Sequence, residues 1–499
     1  MRPTLRSSTG EEQRGQPDQA SPRAAGSVAL AIVAITLVWT LGAYSLSLVS
    51  PDVRLVASGG LACLIVSLPT LRRDFRWVSP WTMILLATFV GCGLRTAAVV
   101  SRGLVDPMIN RLYLRGHDLE VVDRYSWLYL SGLAVLSIAY ALLASRPGRR
   151  RSRSDGSRYE FGPYAWVGIA ILASVGAAGL YFYVQATAGP NSDFLSAKRS
   201  IYMRDSNYQG SHGLLRTINS FSGAAFYLAI ALVASKRSSS SGEGVTRWLI
   251  LLVLFINATA LDFYSSTRAQ IAYTMLGAAV LYSIIRGSLP RRVFLLVGAA
   301  GAGLMAWLTI LRQASQGASV AISPSTMAKA LTDGLILNRN FTEIFKSVNI
   351  MDAVPRLIPF SNGSTITNYL LAFVPRSVWS DKPIIDPGVA IGVRVYGTDG
   401  TSIPPGLIAE SYWAFGIGGV FLGSVLAAYG LAWIESKYLR DSSLDLGRAT
   451  IYSYVWFPIG GVALGGAIGN SLMAGAISLT TIWFALRWCG HWRSADEND

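Results

Sequence analysis

Long apolar runs separated by short polar links set the pattern of this chain. Twelve of them reach or approach spanning length: 27–49, 54–71, 79–101, 126–145, 162–187, 217–235, 248–264, 269–285, 293–311, 405–433, 449–467 and 470–488. A helix of about 20 mostly apolar residues crosses the hydrocarbon core. The pattern therefore predicts an all-α polytopic membrane protein of about 12 transmembrane helices. It is interrupted once, by roughly ninety residues of mixed polarity (312–403) between the ninth and tenth runs. That stretch carries Arg339, Arg356, Arg376, Lys382 and Arg394, so it belongs in water or at the headgroups. A loop of this length is usually functional or disordered, and its aromatic, Pro, Gly and charged content does not look disordered. Within it, Ser325 to about Asn349 has helical character, with Pro324 suited to the helix start. Met327, Leu331, Leu335, Phe341, Phe345 and Val348 approximate one stripe, with Lys329/Asp333 and Arg339/Glu343 as i,i+4 pairs on the other side. Such a helix is expected to lie on the outer membrane surface, to cap a cavity, or simply to pack.

The links give orientation. Short cytoplasmic links are enriched in Lys and Arg. Arg72, Arg73 and Arg76, then the Arg-rich stretch 146–153, Lys236 and Arg237, Arg286, Arg291 and Arg292, Lys437 and Arg440, and finally Arg493 all fall on one side if the spans alternate. That side is expected to be cytoplasmic, with both termini on it. Residues 1–26 read as a disordered cytoplasmic tail, 27–488 as the membrane domain and 489–499 as a second tail. The first run is of full spanning length and reads as a retained anchor rather than a cleaved signal. The segments 102–125, 188–216, 265–268 and 312–403 are expected outside. The Arg/Ser run at 149–158 and the Ser run at 238–241 read as linkers.

Composition agrees. Hydrophobic residues make up 52% and charged residues 14%, against about 25% charged in soluble domains. The net charge of +15 would suggest nucleic acid in a soluble protein. In a membrane protein it fits topology and anionic ligands instead. Cys63, Cys92 and Cys489 show no pairing or metal-ligand spacing, so no disulfide framework or metal site is expected.

Several polar residues sit where burial is costly. Arg95 lies inside the third run, either as a functional cation or as one that snorkels to the interface. Arg268 falls at the outer mouth of a two-span hairpin, with Asp262 as its possible partner. The segment Lys198–Gly213 holds Arg199, Arg204, Asp205 and His212 with Tyr202 and Tyr208. Guanidinium forks there suit a pyrophosphate, tyrosines suit sugar faces, and His212 is a candidate base or a bystander. Glu410 lies in the outer turns of the tenth span beside Tyr412 and Trp413. A carboxylate at that depth is expected to be paired, with Arg376 or Lys382 as natural partner, or catalytic.

Three features together resemble a known family. Pro-Arg-x-x-Trp-x-x-Lys-Pro at Pro375–Pro383, Pro-Pro-Gly followed by Glu-x-Tyr-Trp-x-Phe-Gly at Pro404–Gly416, and the large outer loop are similar to the Wzy-type O-antigen polymerases of bacteria. Ser265–Arg268 is similar to a Ser-Arg element of that group and of the related ligases. Arg199 to Gly210 has the Arg-x10-Gly spacing that some members carry in two loops, whereas Arg376 to Gly388 is longer by one residue. The resemblance implies a membrane glycosyltransferase that joins undecaprenyl-pyrophosphate-linked oligosaccharides at the outer face of the bacterial plasma membrane. It implies no cofactor. Implied partners are lipid-linked substrates, membrane lipid, a flippase and a chain-length regulator, with no nucleic acid. On this reading Arg199, Arg204, Arg268, Arg376, Lys382, Arg339, Trp379 and Tyr412 bind pyrophosphate or glycan, and Glu410, His212 or Asp205 is the base. The alternatives are a lipid-linked glycan flippase, a secondary transporter or an O-antigen ligase.

Overall fold

The structure is a computed structural model. It describes residues 22–47, 54–103, 119–145, 158–188, 213–236, 241–265, 268–287, 298–299, 301–304, 306–310, 323–335, 344–374, 379, 381, 385–397, 402–440 and 445–493.

In chain order the helices are α1 (Pro22–Ser47), α2 (Arg54–Ser67), α3 (Pro80–Thr88), α4 (Arg95–Gly103), α5 (Leu119–Ser145), α6 (Ala165–Ala188), α7 (Gly213–Ser235), α8 (Ser241–Tyr264) and α9 (Arg268–Arg286). There follow α10 (Gly301–Ile310), α11 (Pro324–Leu335), α12 (Ile344–Ala353), α13 (Ser364–Thr367), α14 (Pro387–Tyr396), α15 (Leu407–Tyr438), α16 (Leu446–Ile451), α17 (Phe457–Gly465) and α18 (Ile468–Cys489). Strands β1 (Arg158–Phe161) and β2 (Gly490–Arg493) form a two-stranded antiparallel sheet.

Among the described residues, nine helices are long and apolar enough to cross a membrane. They coincide within a few residues with nine of the twelve expected runs, so the chain is an all-α multi-pass membrane protein. The other three expected spans correspond to α9, to the short apolar α10, and to α16–α17 joined by the π-helical turn Tyr452–Trp456. A second π-turn, Phe89–Leu94, joins α3 to α4.

Side chains gather into two large cores. One joins α2 to α5, α12, α14 and α15 as far as Ala432, around Trp81, Leu133, Phe345 and Ile408. The other joins α6 to α9, α16 and α18 around Tyr227, Leu281, Tyr452 and Ile482. Lipid-type exposure dominates α1, where Leu30, Ile35, Val38 and Leu41 all face outward.

Two helices lie within or beside the stretch of the large loop expected to be helical. Its first helix does begin at Pro324, and the Ser323 hydroxyl accepts from the Thr326 amide at 3.1 Å. Residues 336–343, with Arg339 and Glu343, lie outside the described residues. Beyond them α12 packs into the protein, one of the three alternatives open for it. Phe345, Val348, Ile350 and Met351 are all buried, packed among α5, α14 and α15. Lys346, Ser347 and Asn349 of the same helix are buried with them.

Links expected on one side do meet. Arg72 donates to Glu435 (3.1 Å), to the Ala144 carbonyl (3.2 Å) and to Asp74 (3.1 Å). Tyr140 donates its hydroxyl to Glu435, Arg440 pairs with Asp74 at 2.6 Å, and Arg76 reaches the Leu439 carbonyl. Arg286 donates to the Lys236 carbonyl at 2.8 Å. Arg158–Phe161, at the end of the Arg-rich link, and Gly490–Arg493, at the start of the expected tail, are fastened to the body. Asp445 accepts from the Tyr159 amide and, at 3.0 Å, from Trp492, while Arg493 pairs with Glu160 at 3.3 Å. At the opposite ends of the helices, Arg54 and Asp123 join the starts of α2 and α5 at 3.3 Å.

Glu435 is 1% exposed and the Arg72 side chain 7%, so removing one partner strands a buried charge. Glu435→Ala is expected to cost roughly 3 kcal/mol, read by thermal unfolding in detergent. A loss below about 1 kcal/mol, the range of a surface pair, would mean that Asp74 satisfies Arg72 by itself. Burial pushes the Asp74 carboxyl up, but the Arg72 bond and the charges of Arg72 and Arg440 outweigh it and hold it below its ordinary 3.8. A depressed carboxyl contributes stability above its ordinary value and loses it as pH falls. Thermal stability should therefore drop on acidification below about pH 4, and Asp74→Asn should flatten that drop.

Candidate functional site at two helix breaks

The site is built where two helices are interrupted. The chain stops being helical at Gly465 and restarts at Ile468, leaving Gly466–Ala467 as a linker between α17 and α18. Such a break orphans carbonyls on one side and amides on the other. No side chain of α18 can cap its own start, because its N-cap residue is Ala467. The caps come from elsewhere. Glu410 of α15 accepts from the Ile468 amide through Oε2 at 2.6 Å. Lys346 of α12 donates through Nζ to the Gly465 carbonyl at 3.4 Å. The Gly406 amide donates to the Gly466 carbonyl at 3.0 Å.

Each charge faces the helix end that favours it. A carboxylate at a helix N-terminus and an ammonium at a C-terminus complement the dipole by about 0.3–1 kcal/mol each, and by up to about 2 when partly buried. Glu410 is 0% exposed and Lys346 1%. The Glu410 Oε1 atom is enclosed without a hydrogen bond among the described residues, with the Thr365 side chain beside it.

The second break lies within α15. Phe415 and Gly416 have non-helical dihedrals, and Gly416 takes φ 64°. The freed Trp413 carbonyl accepts from the Ser361 amide at 2.9 Å, and the Trp413 indole donates to the Pro359 carbonyl at 2.8 Å. Tyr412 sets its ring edge-on to Tyr125 and tilted against Phe360, each at 6.1 Å. Gly406, at φ 80°, is held where a Cβ would lie 2.4 Å from the Leu464 carbonyl oxygen. Only glycine permits that backbone and that approach.

Tyr369 closes the site from the large loop. It lies in the 3₁₀ turn Asn368–Phe373 and packs on Gly469, where a Cβ would meet its ring at 2.1 Å. Burial, followed by the charges of Asp386 and Glu410, pushes its phenol well above the ordinary value, so it remains a hydrogen-bond donor. Asp386 caps α14: it accepts from the Gly388 amide at 2.8 Å and from Ser402 at 2.7 Å.

Of the residues singled out from sequence, Glu410 and Tyr412 are at this junction. Trp379 is 40% exposed. Among the described residues the partner of Glu410 is the Ile468 backbone amide; the partners expected from sequence were Arg376 and Lys382. Those two lie outside the described residues, as do Arg199, Arg204, Asp205, His212 and Arg339. Arg268 begins α9, but its side chain also lies outside the description. Arg95 is fully buried just after the π-turn, so it does not snorkel. Sequence reasoning missed Lys346 and Tyr369. The Gly465–Gly466 pair inside an apolar run was the available sign of a break, and Lys346 inside IFKSVNIM was the sign of a buried cation. Among the described residues no cluster of His, Cys, Asp or Glu could hold a metal ion.

Comparison of the chain with protein-family models, with characterised proteins and with solved structures gives no match.

A methyl at position 469 strikes the Tyr369 ring. Gly469→Ala is expected to cost about 1–3 kcal/mol through overpacking, and Tyr369→Ala in the same chain should recover most of it. Thermal unfolding of the two single variants and the double variant checks this. Equal losses with and without Tyr369 would show that the clash lies elsewhere.

Proposed function

We propose that this protein is a membrane polymerase that joins lipid-pyrophosphate-linked oligosaccharide repeat units at the outer face of a bacterial plasma membrane. One observation carries the reading. The Glu-x-Tyr-Trp-x-Phe-Gly stretch, on which the family resemblance leans, is used residue by residue to fasten the large loop into the helical body. Glu410 caps α18, Tyr412 packs on Phe360, Trp413 holds Pro359, and Phe415–Gly416 open the helix that Ser361 enters. A loop so fastened is a platform rather than a tether.

In the proposed reaction a sugar hydroxyl of one repeat unit attacks the anomeric carbon of another. The bond to the lipid pyrophosphate breaks, the hydroxyl proton passes to a base, and the pyrophosphate leaves as an anion. Preorganised cations stabilise such a leaving group, and Arg199, Arg204, Arg268, Arg376 and Lys382 are assigned to it. Arg339, Trp379 and Tyr412 are assigned to glycan. With Glu410 committed to α18, the base falls to Asp205 or His212. The reaction as written needs no cofactor; a flippase upstream and a chain-length regulator alongside complete the scheme.

The helix breaks also favour a second reading. Discontinuous spans whose ends face charged groups are common in secondary transporters, so a flippase of lipid-linked glycans is the rival. A ligase differs from a polymerase only in acceptor. Purified protein in liposomes, supplied with lipid-linked repeat units on the accessible side, separates them. The polymerase reading expects products of two or more repeats, and Arg376→Ala should lower their yield by at least tenfold. Movement of substrate across the bilayer without longer products would replace it with the flippase reading.

A further inference from the structure

We infer that Arg487, held between Trp483 and Trp492 where α18 meets the β1–β2 sheet, binds the phosphate of an anionic phospholipid in the leaflet that this end of the bundle enters. The inference does not depend on the polymerase reading.

Arg487 is exposed in the last turn of α18. Its guanidinium carbon stands 5.0 Å from the Trp483 ring centroid and 5.9 Å from that of Trp492. Cation–π contacts of this kind orient a guanidinium by its neighbours' rings and leave its N–H donors to find acceptors elsewhere. Among the described residues no carboxylate pairs with it and no carbonyl accepts from it. The acceptors around it are engaged with other donors. Asp445 accepts from the Tyr159 amide and the Trp492 indole, and Glu160 pairs with Arg493. The Leu486 carbonyl accepts from the Tyr159 hydroxyl at 2.9 Å, and the Cys489 carbonyl from the Gly162 amide at 3.0 Å.

The aromatic side chains at this end set its depth. Trp483 is 49% exposed, Trp488 56% and Tyr164 78%. Trp488 lies against Gly168 near the start of α6, so it belongs to the same end of the bundle. Trp and Tyr exposed at the ends of apolar helices mark the headgroup level. The anions at that level are lipid phosphates, which guanidinium forks bind well.

The sheet adds to the positive field. Arg158 and Arg493 stand directly opposite each other in its register, and both are exposed. Like charges so placed repel, and Glu160 offsets only one of them. A surplus of this sign favours anionic over zwitterionic lipid. An aromatic belt that merely floats the helix ends, with Arg487 snorkelling, would not distinguish the two.

Native mass spectrometry of the full-length protein in uncharged detergent reads the site, with phosphatidylglycerol and phosphatidylcholine of the same acyl chains as probes. The first phosphatidylglycerol should bind at least fivefold more tightly than phosphatidylcholine and raise the unfolding temperature. Arg487→Gln should weaken it at least fivefold and leave phosphatidylcholine unchanged. Arg73→Gln removes the same charge from another exposed position and should change either affinity less than twofold. Equal affinity for the two lipids, or an unchanged affinity in Arg487→Gln, overturns the site. An equal loss in Arg73→Gln overturns it too, because diffuse charge would then suffice. Displacement by inorganic phosphate at the concentration of the lipid overturns the lipid as occupant. Should Arg487→Gln not be recovered folded, Trp483→Leu decides: weakened phosphatidylglycerol binding supports the site and unchanged binding overturns it.

Discussion

Backbone polar groups in a membrane protein need partners supplied by the protein itself, and that constraint governs this architecture. Wherever a span is interrupted, amides and carbonyls lose their helical partners, and in hydrocarbon each unmet group costs several kcal/mol. The chain interrupts helices at Gly466–Ala467 and at Phe415–Gly416. Side chains and backbone from the large loop and from the start of α15 meet the exposed groups. Lys346, Glu410, Gly406 and Ser361 supply these contacts. The large loop is consequently part of the bundle rather than an appendage to it. Within it α12 supplies core contacts through Phe345, Val348, Ile350 and Met351, and polar atoms of the loop complete broken helices.

The far end of α15 obeys the same rule with different chemistry. Glu410 stands one turn from its start and Glu435 one turn from its end. At about 1.5 Å per residue they are separated by roughly the thickness of a bilayer with its interfaces. Glu435 is held by Arg72 and Tyr140, with Trp81 stacked on the Tyr140 ring at 4.3 Å. One end of the helix is thus bonded to a helix start, the other to a guanidinium. With both ends held, the break at Phe415–Gly416 is the point in α15 where a change of angle meets least resistance.

Much of the architecture was legible because spanning length and basic links are crude, additive signals. Nine runs became helices of spanning length at nearly the expected bounds, and Arg72, Arg76 and Arg440 met on one side as their spacing implied. The site was legible in part. Glu410 was recognisable as a costly carboxylate, since depth in an apolar run is a sequence property. Its partner was not, because a backbone amide of Ile468 carries no sequence signature. Lys346 was hidden for a related reason. In a loop expected to be wet, a lysine attracts no notice; only the burial of α12 turns it into a constrained charge. The β1–β2 pair was equally invisible, since four-residue strands at an Arg-rich link and a tail have no periodicity to display.

A motif can persist in a membrane enzyme either because its residues do chemistry or because they hold the residues that do. Glu410 and Trp413 have backbone partners that suit the second role, and Gly416 supplies the backbone turn between them and the rest of α15. Full enclosure of the Glu410 carboxylate, with one oxygen spent on the Ile468 amide, leaves it badly placed to take a proton from a bulky sugar. General-base catalysis needs a group within hydrogen-bond reach of its substrate. Under the proposed function, that requirement shifts the burden of chemistry to the polar segments between spans, where a glycan could reach a side chain without dismantling a helix cap. On this argument, variation of substrate within such a fold would be written in those segments, while the junction at the helix breaks would be held constant by the cost of leaving it unmade.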